Sequence, residues 1–110
     1  MAEERLPRWY SFLRENHPSV MDALDALGVA VRREGPLDPK TAHLVQLAAA
    51  AAIRSEGAVH SHTRRALQAG ASREEIVHTL ILLVSTIGFP SVSAALSWAQ
   101  DELDKTSSPA

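Results

Sequence analysis

The chain has 110 residues, no cysteine, and a formal net charge of −2 from 11 basic and 13 acidic side chains. That length suits one small domain, residues 1–110, with much apolar surface that is hard to bury alone. The charge leaves no basic footprint for nucleic acid, and the lack of cysteine excludes disulfides, thiolate metal sites and thiol redox chemistry. The opening Met-Ala-Glu-Glu-Arg has no apolar signal core, and the most apolar run, Ile76 to Ile87, holds His78 and Thr79 and is too short to span a bilayer. A soluble, cytoplasmic protein is expected, with no membrane partner.

In chain order, the punctuation predicts helices and no strands, an all-α fold of five to six helices packed as a compact bundle. Pro7 suits the first turn of a helix running to about Asn16, where His17-Pro18 discourages continuation. A second helix starts at Pro18, lines up Val20, Met21, Leu24, Leu27 and Val31, runs through Gly28 and ends near Glu34. Gly35 is its expected left-handed stop, with Pro36 beyond. Asp38 caps a third helix with Pro39 in its first turn, and the run Ala48–Ala52 allows another helix to approach closely. A break around Arg54–Gly57 precedes a fourth helix ending at Gly70, with Ser55 as its N-cap. Ser72 and Glu75 form a capping box for a fifth helix that stops at Gly88, and Pro90 begins a last helix reaching about Leu103. Residues 1–5 and 104–110 are expected to fray.

The fifth helix carries Ile76, Val77, Leu80, Ile81, Leu82, Leu83, Val84 and Ile87 around nearly its whole circumference. A helix apolar on all sides must be surrounded, so a homo-oligomer with this helix in its interface is predicted.

The chemistry-bearing residues concentrate in Glu56-Gly-Ala-Val-His-Ser-His-Thr-Arg-Arg65. At about 100° per helical residue, His60 and His62 point about 200° apart and cannot share a metal ion. Glu56 and His60 are one turn apart and can pair, but a third ligand would have to come from His43 or His78, so no metal site is predicted. Val59, Ala66 and Ala69 place His62 on the small, apolar side of the helix. His60 lies nearer Arg64, facing solvent or Glu56, and His60→Ala is expected to cost no more than about half a kcal/mol. His62 reads either as a general acid or base, since imidazole titrates near neutral pH, or as a half-buried side chain bonded to a backbone carbonyl. Arg64 and Arg65 read as solvated or paired between subunits, or as a clamp for an anionic substrate. His78 is expected in the core or at an interface. Trp9, Phe89 and Trp98 are packing anchors, and Phe89 and Trp98 can also line a pocket beside the last helix.

From Leu37 to Leu103, three stretches resemble the carboxymuconolactone decarboxylase family, which includes alkyl hydroperoxidase D-like proteins. They are Leu-Asp-Pro-Lys-Thr-Ala-His-Leu-Val from residue 37, His62 through Gly70-Ala-Ser-Arg-Glu-Glu-Ile, and Gly88-Phe-Pro before the last helix. The resemblance implies an all-α fold, usually assembled as trimers or hexamers, with pockets near subunit contacts. Peroxidase members carry Cys-x-x-Cys followed by a histidine one turn on, with a glutamate on the preceding helix. Here the cysteine positions fall on Ser55 and Ala58, the glutamate position falls on His43, and His62 alone keeps the family's residue. Disulfide-based peroxide reduction is thereby excluded. The decarboxylase branch is the closer chemical relative, although its polar neighbourhood before the histidine is not reproduced.

The resemblance therefore favours cofactor-free decarboxylation or isomerisation of a small organic acid or lactone, with His62 moving the proton. His43 either relays that proton or fills space, and Arg65 or backbone donors at a helix start offset the enolate charge. The competing reading is a non-catalytic oligomer that kept the fold, lost the cysteines and binds a ligand or partner protein.

Overall fold

The computed structural model describes residues 8–106, and the chain is all-α. The expected helix start at Pro7 and the frayed ends 1–5 and 107–110 lie outside the described residues. The chain divides into two compact units, one through Pro36 and one from Leu37.

In the first unit, α1 (Arg8–Asn16) and α2 (Pro18–Arg33) are separated by His17 alone, with Pro18 opening α2 as its ring requires. Arg14 spans the turn, donating to Asp22 at 2.6 Å and Asp25 at 2.5 Å; these carboxylates hold its guanidinium even more firmly charged than usual. Of the predicted α2 stripe only Met21 is buried; Val20, Leu24, Leu27 and Val31 are exposed. Trp9 is likewise no buried anchor: it is exposed and meets Phe12 edge-on at 5.2 Å. Gly35 is not the left-handed stop expected of it, because α2 ends by tightening. The Glu34 N–H donates to the Val31 carbonyl from a right-handed backbone, and no positive φ is needed.

The second unit contains α3 (Pro39–Ala52), α4 (Glu56–Gln68), α5 (Arg73–Ile81), α6 (Val84–Ile87) and α7 (Phe89–Thr106). Asp38 caps α3 by accepting from the Thr41 N–H at 2.8 Å, and Ser72 and Glu75 close the reciprocal box at the start of α5. Lys40 reaches Glu75 at 3.0 Å and ties α3 to that box. The Ser72 backbone N–H and then the Lys40 ammonium hold the Glu75 carboxyl below its usual range.

Two features depart from the predicted outline. The fifth helix is not continuous: at Leu82–Leu83 the ladder tightens, with the Leu83 N–H donating to Leu80, and α6 follows as a separate turn. Within one chain its apolar circumference is covered only in part: Ile76 and Leu80 are buried while Ile81, Leu82 and Val84 are exposed. The last helix continues to Thr106, past the predicted end at Leu103, so residues 104–106 are helical.

The core of this unit is built from small residues. Ala50, Ala51, Ala66, Ala71, Ala95 and Ala99 are buried around Leu47, Val59, Ile76, Leu80 and Leu103. The alanines let α3, α4 and α7 pack closely, as the Ala48–Ala52 run suggests, although Ala49 and Ala52 themselves face outward.

Candidate functional site

The position of α4 is set by matched turns at its two ends. Ahead of it, α3 closes through Arg54 in the left-handed region (φ 55°), with the Ser55 N–H donating to Ala50 and the Arg54 N–H to Ala51. Behind it, Gly70 (φ 100°) does the same for α4, with Ala71 donating to Ala66 and Gly70 to Leu67. Arg54 gains a further tie to Ser91 at 2.8 Å. Ser55 occupies the N-cap position of α4, but its side chain makes no capping bond.

Between these turns α4 buries Val59, Thr63 and Ala66 and presents a different histidine on each flank of that face. On the α3 side His62 meets His43: their Nδ1 atoms are 3.3 Å apart and the ring centroids 5.6 Å apart. His43 is buried and His62 half-buried. When both rings are neutral, one facing nitrogen donates and the other accepts, so a single proton bridges them. Arg65, also half-buried, lies one turn beyond His62 on α4.

On the α7 side His60 does not turn to solvent. Its Nδ1 lies 2.6 Å from Glu102, a carboxylate only 2% exposed, while its Nε2 lies 3.4 Å from Glu56 and 4.0 Å from Asp101. The predicted Glu56 contact is there, but it is secondary to one that the local sequence does not show. Arg64 at 3.6 Å and Lys105 at 3.3 Å complete the shell around Glu102. Arg64 is therefore paired rather than simply solvated. Burial pushes the Glu102 carboxyl upward, yet His60, Lys105 and Arg64 outweigh it and leave the group below its ordinary range. Glu102 is the residue that sequence reasoning missed. The available signal is its register with Val92, Ala95 and Ala99, which marks it as a charged residue on the buried stripe of α7.

The remaining candidates are dispersed. Phe89 is exposed at the start of α7, whereas Trp98 packs against the core. Nine residues along a helix put them on opposite faces, so they do not line one pocket. His78 is exposed rather than in the core, and with Arg73, Glu74, Val77 and Ile81 it lines a surface concavity of about 310 Å³ that includes neither His43 nor His62. Among the described residues no group of three His, Cys, Asp or Glu side chains is arranged to hold a metal ion, and no helix is long and apolar enough to cross a membrane.

Thr63 is fully buried and its hydroxyl has no hydrogen-bond partner. Replacing it by the near-isosteric valine removes an unsatisfied polar group, so Thr63→Val is expected to raise unfolding stability by about 1 kcal/mol. Urea titration reads this directly; a loss of similar size would mean the hydroxyl is satisfied in solution.

The model of the carboxymuconolactone decarboxylase family matches residues 18–101. The crystal structure of a carboxymuconolactone decarboxylase family protein from Legionella pneumophila is similar to this chain at 29% identity and a TM-score of 0.74, covering 91% of this chain and 88% of that one. Among curated proteins, none is similar enough in sequence to match.

Proposed function

Because the chain belongs to the carboxymuconolactone decarboxylase family, we propose that it carries out cofactor-free acid–base chemistry, decarboxylation or isomerisation, on a small organic acid or lactone. The observation that supports this reading is the contact between His43 and His62 across α3 and α4. His62 occupies the family's histidine position. It removes a proton from the carbon beside the carboxyl or lactone carbonyl, or delivers one to the carbanion left when carbon dioxide departs. With Nδ1 turned to His43, exchange with substrate falls to Nε2, and His43 takes or returns the second proton. A cationic Arg65 one turn away offsets the enolate charge that develops.

The expected result of His62→Ala is a loss of about 10²- to 10⁴-fold in turnover of whichever lactone or acid is found to react, with the fold intact by circular dichroism. A variant that remains fully active ends this reading.

We also propose that the chain works as a homotrimer or homohexamer. Ile81, Leu82, Val84 and Phe89 stand exposed close together in sequence around α6, and α2 exposes a second apolar stripe. The same exposed surface favours the second reading, a non-catalytic assembly that binds a ligand or partner. Sedimentation at micromolar concentration is expected to give an assembly; a clean monomer would show that these side chains stay in water.

A further inference from the structure

We propose that α2 docks against α2 of a second copy of this chain, antiparallel across a two-fold axis. The pairing deepens the assembly reading above and rests on it. α2 is 16 residues long and buries only Met21, while Val20, Leu24, Leu27 and Val31 are each more than half exposed. A helix takes most of its stability from packing its apolar face, so a stripe this open lacks its cover. The stripe itself points to the occupant. Its spacings are four, three and four residues, which keeps the four side chains within about 60° of one another around the helix. Its order is Val-Leu-Leu-Val, the same from either end. Turned end for end, Val20 of one copy faces Val31 of the other, and Leu24 faces Leu27. A two-fold contact between identical surfaces requires this self-complementarity. Ala23 and Ala30, small and exposed, lie on one flank of the stripe and let the two helices approach closely.

A parallel pair would match the same side chains, and charge decides against it. Asp22 and Asp25 share a single Arg14, so the first half of α2 keeps a net negative charge. Arg32 and Arg33 in the last turn outweigh Glu34 and leave the other end positive. Antiparallel helices set each acidic half beside the basic end of the other copy and oppose the two helix dipoles, whereas parallel helices stack like on like. A two-fold contact also needs an even number of chains. Of the trimer and the hexamer only the hexamer can contain it, with α2 joining two groups of three.

The chain has no cysteine, so single introduced cysteines report the pairing through a short bis-maleimide. Antiparallel helices hold the two copies of residue 24, and of residue 27, about 4.5 Å apart along the axis, but the two copies of residue 20, and of residue 31, about 16 Å apart. Leu24→Cys and Leu27→Cys should each cross-link into dimers on a denaturing gel. Val20→Cys and Val31→Cys should not, except when the two variants are co-expressed. Cross-linking of all four variants on their own means parallel helices, and cross-linking of none means a different cover for the stripe; either result overturns the proposal. In sedimentation the parent should weigh six chains and Leu27→Glu three, with circular dichroism unchanged because Leu27 is 58% exposed. A Leu27→Glu variant that keeps the parent's mass overturns the pairing. A parent of three chains that resists cross-linking overturns it too while leaving the assembly reading intact, and a monomeric parent overturns both.

Discussion

Glu102→Ala should lower the unfolding free energy by about 3 kcal/mol, enough to bring the melting temperature down by roughly 15 °C. The carboxylate is 2% exposed and is shared by His60, Arg64 and Lys105, so its removal leaves three donors crowded around a void. Arg64 and Lys105 can swing toward water; His60, at 16% side-chain exposure, has less room to escape. His60→Ala should cost about 1–2 kcal/mol by removing a charge-assisted bond to a buried acceptor, well above the surface-sized effect that its sequence position suggests. In a double-mutant cycle the two losses should fall short of additive.

The acid limb follows from the same group. Glu102 has a folded-state pKa below its unfolded value, so its contribution is fully present above the ordinary carboxylate range. It is lost as pH falls through the depressed folded value. Asp38 and Glu75 shift in the same direction through their capping bonds. Stability should hold from neutral pH to about pH 5 and fall below it, and Glu102→Gln should flatten part of that fall. A Glu102→Ala protein within 1 kcal/mol of its parent would falsify the picture of a buried, compensated charge.

The second large effect is expected from adding volume rather than removing charge. Ala66→Leu should destabilise by about 2–3 kcal/mol despite its gain in apolar surface. Ala66 is fully buried, faces the core beside Val59, and its carbonyl receives the Ala71 N–H in the turn that ends α4. A leucine there must either push α4 from its neighbours or distort the Gly70 turn. Denaturant titration measures the loss, and an unchanged midpoint would show that the alanine-lined packing has slack.

Much of this architecture is legible in the sequence because it is written in short-range signals. Asp38-Pro39, Ser72 through Glu75, Gly70 and Gly88 each act on backbone groups within a few residues, and the helix ends fall where those residues put them. Gly35 and the Leu82–Leu83 break show the limit. A right-handed tightening ends a helix without any special residue, and an apolar run gives no local sign of where the ladder changes pitch. The histidines divide in the same way. Placing His62 on the small-residue side of α4 needs only helical periodicity, and the resemblance alone points to His43 as its counterpart. The His60–Glu102 pair is separated by 42 residues, and which flank of α4 receives α7 is decided by packing of the whole unit. No neighbouring residue of His60 encodes it.

The opposed flanks of α4 carry a mechanical consequence. His62 is held from one side by α3 and His60 from the other by α7, through contacts two residues apart on the same helix. Any roll of α4 about its own axis carries the two imidazoles along opposite arcs relative to their partners. Torque applied at the His43 contact is therefore delivered to Glu102 across the width of the helix. Whatever grips or spreads the two facing imidazoles loads the buried carboxylate as well, and α4 acts as a spindle rather than as two independent mounts.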